Sequence, residues 1–319
     1  MLAGIDEAGY GPILGPLVVS GVAVRVPDER LDDSLWTILR DTITSKVTRS
    51  AGRRLAVADS KKLFRGRNTL APLERAALVM LAAAGRHPKT WRGLLNVLAP
   101  DVAGQLASYP WYERSDFSLP LSDGIGDVSL QANAVRRDCN QSGVELVGMF
   151  CEPLLAGAFN RLVKNTRNKA VVLMGLALRI VDRIIRLTPN ERVRICVDRL
   201  GGRLHYRDVL MTNLPDYTLH IMEESSERSA YRLTKSSRIC DVEFAVKSEQ
   251  RHFCVALASV YSKYLREVFM HAFNEYWAGH LENVRPTAGY YTDAKRWLAD
   301  ARDAIEHAGI DRSILVRSR

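Results

Sequence analysis

Four acidic residues in this 319-residue chain stand where apolar segments end. Asp6 and Glu7 follow the apolar start of the chain, Asp198 closes the apolar run 193–198, and Glu249 comes just before a helical pattern. Sites of open α/β folds form beyond the carboxyl ends of strands, where such acids would meet. Carboxylate oxygens suit Mg²⁺ or Mn²⁺, and two such ions about 4 Å apart can promote phosphodiester hydrolysis. The four acids are therefore candidate catalytic and metal-binding residues.

A simpler interpretation of the same acids stays open. Acidic residues are common at turn entries, so Asp6, Glu7 and Asp198 can also be turn formers. Adjacent residues of a strand point to opposite faces, so Asp6 and Glu7 can serve one site only if the strand ends there. Gly9 and Gly11 follow immediately, which favours such an end.

Strand and helix patterns alternate around these acids and must position them. Residues 2–8 and 17–25 predict two strands close to a hairpin. The other predicted strands cover 143–150, 193–198, 217–223 and 229–248. The predicted helices cover 31–46, 71–85, 128–142, 153–186, 250–279 and 293–307. The segment 50–70 is predicted as loop, and 107–127 as an irregular excursion with exposed aromatic residues. This order favours an α/β fold with a mixed sheet flanked by helices.

The charge of the chain indicates a polyanionic partner. The formal net charge is +9 and the pI is near 9.4, and nucleic acid is the commonest polyanion that basic proteins bind. A basic cluster accompanies the candidate acids, and it either contacts phosphate or forms a solvated surface. Its members are Arg53, Arg54, Lys61, Lys62, Arg65 and Arg67.

Several classes of protein are disfavoured by composition. No apolar run reaches the roughly 18 residues of a membrane span, and the N-terminus lacks the pattern of a signal peptide. We therefore expect a soluble cytoplasmic protein with no membrane partner. The five cysteines are widely spaced without a CxxC motif, which argues against a disulfide framework or zinc ribbon. No HExxH pattern supports a zincin.

Four blocks of the sequence resemble a known family. Residues 4–19, GIDEAGYGPILGPLVV, closely resemble the N-terminal signature of ribonuclease HII, a type 2 ribonuclease H. The other blocks follow in the family's order: DSKKL at 59–63, KSEQRHFCVALASVYSKYLRE at 247–267 and GYYT at 289–292. The resemblance implies a ribonuclease H-like mixed sheet flanked by helices, with a helical C-terminal extension and an inserted segment.

The resemblance also implies an activity. It is that of a metal-dependent endonuclease that hydrolyses the RNA strand of RNA/DNA hybrids and leaves 5′-phosphate and 3′-hydroxyl ends. By position, Asp6, Glu7, Asp198 and Glu249 would be the catalytic ligands of a two-metal site holding Mg²⁺ or Mn²⁺. Asp198 lacks the Asp-Gly that is usual in the family, since Arg199 follows it. Glu249 stands where ribonuclease HII has Asp and ribonuclease HIII has Glu.

Six residues would bind nucleic acid by the same resemblance: Gly9, Tyr10, Gly11, Lys61, Lys263 and Tyr290. The family's Gly-Arg-Gly loop senses the 2′-hydroxyl at an RNA–DNA junction, and this chain has Tyr10 in place of the arginine. Glycine backbone can still approach the sugar, but the guanidinium contact to phosphate is lost. Tyr290 matches the tyrosine that stacks on a deoxyribose, or is a core aromatic. The expected partner is an RNA/DNA hybrid or a ribonucleotide-containing duplex.

We expect a catalytic domain over residues 1–270, with an insertion at about 86–150, followed by a C-terminal helical region over 271–319. Two other functions stay open. One is a nucleic-acid-binding paralogue that has lost cutting. The other is a nuclease of the same fold that acts on another structured nucleic acid, such as a junction.

Overall fold

The computed structural model describes residues 1–47, 54–64, 70–189, 191–282 and 284–318. Arg53, Arg65 and Arg67 of the predicted basic cluster lie outside these residues. The strands are β1 Leu2–Ala8, β2 Leu17–Arg25, β3 Ile43–Thr44, β4 Leu55–Ala56, β5 Glu145–Leu154, β6 Val193–Asp198, β7 Thr218–Glu224, β8 Arg228–Lys235 and β9 Arg238–Ala245.

Helices account for most of the remaining described chain. The α-helices are α1 Leu35–Ile38, α2 Ser60–Leu63, α3 Leu70–Ala83, α4 Trp91–Leu98, α5 Pro110–Glu113, α6 Val128–Gln141, α7 Ala156–Thr166, α8 Lys169–Leu187, α9 Arg207–Asn213, α10 Phe253–Ala278, α11 Tyr291–Asp300, α12 Arg302–His307 and α13 Arg312–Leu315. Short 3₁₀ helices cover Asp28–Arg30, Pro100–Ser108 and Ser248–Gln250. Among the described residues, no helix is both long and apolar enough to cross a membrane.

A seven-stranded mixed sheet forms the centre of the molecule, in the order β5-β2-β1-β6-β9-β8-β7. Strands β1 and β2 pair antiparallel with Ile5 opposite Gly21, as the predicted hairpin requires. Strand β6 runs parallel to both β1 and β9. The carboxyl ends of β1, β6 and β9 therefore lie at one edge of the sheet, which is where the candidate acids stand.

Helices cover both faces of this sheet, so the predicted mixed sheet flanked by helices, with C-terminal helices beyond it, is confirmed. Helix α10 packs on β1 and β2, and α8 packs on the same strands from the other side. The first contact is very close, because a Cβ atom at Gly4 would lie 2.2 Å from the backbone nitrogen of Val255. Glycine at this position brings the start of α10 directly against β1.

The aromatic residues of segment 107–127 are buried, so the prediction that they are exposed is wrong. Tyr109, Trp111 and Tyr112 are each at most 4% exposed. The ring of Trp111 contacts Phe273 and that of Tyr112 contacts Phe269, both on α10. This segment therefore packs against α10. The free energy gained by burying its aromatic rings outweighs the preference of its turn residues for the surface.

Several predicted elements are shorter or divided. Helix α1 occupies only four residues of 31–46, and the predicted helix 153–186 is divided between α7 and α8. The division follows from local backbone geometry, because Arg167 is left-handed (φ 52°) and the Asn168 side chain caps α8. The predicted strand 229–248 becomes β8 and β9, which are joined by a turn containing the left-handed Ser236.

Two of the expected domain limits fall inside regular elements. Helix α10 continues through residue 270, so a boundary after that residue would divide a continuous buried helix. The expected insertion, placed at about 86–150, overlaps β5, which pairs with β2 within the main sheet. An inserted segment would thus have to end before Glu145.

Candidate active site

The Asp6-Glu7 pair lies where β1 stops pairing with β6. The parallel pairing ends at Ile5 and Val197, while the pairing with β2 continues to Ala8 and Val18. The sequence pattern required β1 to end at the acids. Its pairing with β6 does end there, but its pairing with β2 does not. The two acids are therefore next to the carboxyl end of β6.

Asp6 is held by its own backbone and by α10. It is 6% exposed, and its Oδ1 accepts a hydrogen bond from the Glu7 amide at 2.7 Å. Its backbone oxygen accepts one from the Ser262 hydroxyl at 2.9 Å. Burial and the charges of Glu7 and Asp198 raise the pKa of Asp6 well above its usual value, against a hydrogen bond from Ser259.

Asp198 and Glu249 meet at the junction between β9 and α10. The Ser248 amide donates to Asp198 Oδ1 at 3.0 Å, which fixes the 3₁₀ turn against the end of β6. Burial and the neighbouring Glu249 carboxylate raise the pKa of Asp198 to about 6, although the Ser248 amide and Lys61 oppose the change. The carboxylates of Asp6, Glu7, Asp198 and Glu249 therefore repel one another.

Glu7 is the acid with the least satisfied side chain. Its Oε2 is buried and has no hydrogen-bond partner among the described residues. Burial and the charge of Asp198 raise the pKa of Glu7 to about 7, although Lys61 opposes this. An unpaired buried carboxylate oxygen is unfavourable, and a divalent cation would satisfy it and offset the repulsion. The donor set thus fits an oxygen-preferring metal ion such as Mg²⁺ or Mn²⁺.

The second sequence block brings Lys61 to the acids. Asp59 caps α2 by accepting a hydrogen bond from the Lys61 amide at 2.9 Å. The hydroxyls of Ser259 on α10 and Ser60 on α2 are hydrogen-bonded at 2.9 Å, so α2 is fixed to the helix that also holds Asp6. Lys61 is exposed, and the charge of its ammonium group lowers the pKa of Glu7.

Lys263 and Tyr290 lie close to each other. The Lys263 ammonium donates a hydrogen bond to Glu267 Oε1 at 2.6 Å. It also lies 4.3 Å from the ring centroid of Phe64 and 5.9 Å from that of Tyr290. Tyr290 is 49% exposed, so it is not a core aromatic. Its exposed ring is available for stacking, whereas the charge of Lys263 is largely compensated by Glu267.

The Gly9-Tyr10-Gly11 loop shows two different uses of glycine. Gly9 is left-handed (φ 87°), and a Cβ there would lie 2.6 Å from the Pro16 carbonyl oxygen. Gly11 is exposed, and a Cβ there would meet nothing within 4 Å. The Tyr10 ring is partly buried, with the ammonium of Lys169 4.8 Å from its centroid.

The structure adds residues that sequence reasoning missed. Ser259 and Ser262 contact Asp6, and their spacing of three on a predicted helix, inside a matched block, was a usable signal. Arg266 is fully buried and donates to the Ala288 carbonyl at 2.9 Å, beside Tyr290. Arg317 contacts the Gly9 loop, and nothing in its sequence surroundings indicated this.

No protein-family model matches the chain, and no curated protein matches it. Solved structures are similar at low identity. A chain of the PCNA:RNase HII complex from Archaeoglobus fulgidus is 16% identical, with a TM-score of 0.44 over 100% of this chain and 94% of that one. Ribonuclease H2 from Pyrococcus horikoshii OT3 is 14% identical, with a TM-score of 0.43 over 98% and 91%. Bst-RNase HIII in complex with Mn²⁺ is 15% identical, with a TM-score of 0.42 over 99% and 65%. Similarity at this level does not define an activity.

Proposed function

We propose that this protein is a metal-dependent endonuclease that hydrolyses the RNA strand of RNA/DNA hybrids in the cytoplasm, leaving 5′-phosphate and 3′-hydroxyl ends. The observation that carries the proposal is the mutually repelling cluster of Asp6, Glu7, Asp198 and Glu249, in which Asp6 is buried and Glu7 Oε2 is buried and unpaired among the described residues. A structural role would favour acids paired with arginine, as elsewhere in this chain. Acids kept together without such partners are suited to binding metal.

The four carboxylates would hold two divalent cations, Mg²⁺ or Mn²⁺. When bound, such ions activate a water nucleophile and stabilise the leaving oxygen of the phosphodiester. The chain's own contribution is to fix the ligands. Ser262 and the Glu7 amide orient Asp6, and the Ser248 amide orients Asp198. These contacts keep the carboxylates in place before any substrate arrives.

The groups around the cluster would bind the duplex. Lys61, which acts electrostatically on Glu7 and Asp198, is placed to attract the phosphate that enters next to these acids. Tyr290 offers an exposed ring for stacking on a sugar or base. The backbone of Gly9 and Gly11 can approach a 2′-hydroxyl closely. We assign Lys263 a secondary role, because Glu267 already compensates its charge.

The proposal is tested by one panel of three substrates: a uniform RNA/DNA hybrid, a DNA duplex with one ribonucleotide, and a four-way DNA junction. Wild type, Asp6→Asn and the exposed control Asp303→Asn are compared in Mg²⁺ and in Mn²⁺. We expect wild type and the control to cut the hybrid and Asp6→Asn to lose activity by about 10³-fold or more. The ends of the products are then identified by phosphatase and ligase treatment.

Each alternative has a distinct result in the same panel. Cleavage of the junction alone would replace the hybrid with another structured nucleic acid. Salt-dependent binding of duplex without turnover in either metal would indicate a binding-only paralogue. Equal activity of Asp6→Asn and wild type would overturn the assignment of the carboxylate cluster.

A further inference from the structure

A second group of metal-binding side chains lies on the same sheet, outside the carboxylate cluster. Cys196 on β6 and Glu243 on β9 are direct neighbours across the parallel strand pair, and His252 precedes α10. The thiol sulfur, a carboxylate oxygen and a ring nitrogen all lie within 4.8 Å of one another. His252 Nε2 is 3.4 Å from Glu243 Oε1.

We propose that Cys196, Glu243 and His252 form a Zn²⁺ site, with water as a fourth ligand. Sulfur, nitrogen and carboxylate oxygen are the usual zinc donors, at roughly 2.3 Å for sulfur and 2.0 Å for nitrogen and oxygen. Tetrahedral angles then separate the donor atoms by roughly 3.3 to 3.6 Å. The histidine–carboxylate separation already fits this range, and the thiol needs to approach by little more than 1 Å.

A hydrogen bond from Arg228 already orients the Glu243 carboxylate for such a site. Arg228 Nε donates to Glu243 Oε2 at 2.7 Å, which leaves Oε1 directed at His252. A carboxylate that binds a metal through one oxygen and accepts a hydrogen bond through the other is a common arrangement. The ion pair with Arg228 therefore orients Glu243 and need not be broken when the ion binds.

The charges of the three side chains would neutralise a bound zinc ion. A Zn²⁺ ion bound by one thiolate, one carboxylate and a neutral imidazole has no net charge. Cys196 and His252 also line an open cleft of about 170 Å³ with Arg194 and Arg251, so solvent reaches this side of the site. Because the thiol proton leaves as the ion binds, the site gains one unit of positive charge, and the nearby arginines oppose binding only to that extent.

The position of the site gives it a structural consequence. Cys196 precedes Asp198 by two residues on β6, and His252 follows Glu249 by three. A zinc ion here would tie together β6, β9 and the start of α10, which are the segments that present Asp198 and Glu249. The inference is independent of nuclease activity, since its ligands do not include any residue of the carboxylate cluster.

The test is a Co²⁺ titration of the metal-free full chain in a large excess of Mg²⁺, followed by competition with Zn²⁺. Mg²⁺ occupies the oxygen-only cluster, and only a site with sulfur produces thiolate-to-cobalt charge-transfer absorption. We expect one equivalent of Co²⁺ to give this absorption and Zn²⁺ to abolish it. Cys196→Ser should lose the charge-transfer absorption, while Cys240→Ser should retain it. Cys240 is a buried thiol on β9, but it packs on the other face of the sheet from Glu243.

His252→Gln provides a second variant in case Cys196→Ser does not fold, since His252 is only partly buried. Changes in outer-shell residues alone cost about 10- to 100-fold in metal affinity, so loss of this ligand should weaken Co²⁺ binding by at least that much. Absence of the thiolate absorption in wild type, its persistence in Cys196→Ser, or unchanged affinity in His252→Gln would each overturn the proposal.

Discussion

The Arg317 guanidinium donates a hydrogen bond from Nη1 to the carbonyl oxygen of Gly9, with a nitrogen–oxygen distance of 2.6 Å. Its Nη2 donates to the Tyr10 carbonyl at 3.1 Å, and its plane lies over the Phe159 ring at 4.3 Å. Arg317 is 3% exposed, and burial and the charge of Arg266 together lower its pKa to about 9. The described end of the chain therefore fastens the loop that follows the acidic pair.

Arg317→Met should loosen this loop. The substitution leaves two buried carbonyl oxygens without donors, at a cost of about 1 to 3 kcal/mol each when they stay buried. The loop can relieve part of that cost by moving, so we expect faster amide hydrogen exchange at residues 9–16. If the loop binds the duplex as proposed, KM should rise by about tenfold while kcat changes less.

Arg312→Ala is the matched control for this prediction, because Arg312 is an exposed arginine of the same C-terminal segment. It should leave both hydrogen exchange and KM unchanged. Equal exchange of residues 9–16 in Arg317→Met and wild type would show that the loop is fixed without Arg317.

The repelling carboxylates predict that the metal-free protein loses stability as the pH rises. The pKa values of Glu7 and Asp198 are raised to about 7 and about 6, from ordinary values of 4.5 and 3.8. The folded state therefore binds these protons more tightly than the unfolded state, and stability falls between about pH 4 and pH 7. One pKa unit corresponds to about 1.4 kcal/mol, so we expect a loss of about 3 kcal/mol or more across this window, measured by urea unfolding in EDTA.

Glu7→Gln should flatten that pH dependence and make the metal-free protein more stable at pH 8, because it removes a carboxylate that repels Asp6 and is itself repelled by Asp198. The exposed control Glu306→Gln should follow wild type. Saturating Mg²⁺ should stabilise wild type at pH 8 but stabilise Glu7→Gln much less. Stability of wild type that does not depend on pH between 5 and 8 would contradict the electrostatic account.

The sequence was informative where local pattern and global fold agree. Strand ends followed by acids and glycines predicted that Asp6, Asp198 and Glu249 would meet, and the parallel pairing of β1, β6 and β9 brings them to one edge. The burial of Trp111 was not predictable in this way, because its partner Phe273 lies 162 positions away. Turn residues dominate the local signal there, while the packing is entirely tertiary.

The role of Arg317 was beyond sequence reasoning for a similar reason. Arginine near a chain end is ordinarily a solvated charge, and only the folded chain shows that Gly9, 308 positions away, accepts its hydrogen bond. Helix division at Arg167 was missed for a local reason, since a left-handed non-glycine residue inside an apolar helical pattern leaves little trace in composition.

Tyr10→Arg should not simply restore the loop of ribonuclease HII. The Tyr10 ring lies under Lys169, and the charge of Arg317 also acts on its hydroxyl. A guanidinium at position 10 would meet two like charges in a partly buried setting, which Glu7 offsets only in part. We expect a loss of about 1 kcal/mol in the free energy of unfolding for Tyr10→Arg.

A double-mutant cycle with Lys169→Ala measures that repulsion. The double variant should recover the part of the lost stability that is due to Lys169, and it is the form in which a preference for single ribonucleotides should be assayed. Additive effects of the two substitutions would mean that Lys169 does not constrain the residue at position 10.

Gly4→Ala should separate α10 from β1 and thereby disturb the acids. A Cβ at residue 4 would lie 2.2 Å from the Val255 nitrogen and 2.3 Å from the Cys254 carbonyl carbon, so backbone must move. Overpacking of this kind costs about 1 to 3 kcal/mol or more. Because α10 also carries Ser259 and Ser262, which hold Asp6, the shift should lower Mg²⁺ affinity as well as stability.

Gly175→Ala is the matched control, and we expect it to change stability in the opposite direction. Gly175 is exposed within α8, and a Cβ there would meet nothing within 4 Å. Alanine is favoured over glycine inside a helix by about 1 kcal/mol, so this variant should be more stable than wild type with unchanged Mg²⁺ affinity. A Gly4→Ala protein as stable as wild type would show that α10 tolerates displacement from β1. Loss of stability with unchanged Mg²⁺ affinity would show that Asp6 keeps its position without the serines of α10.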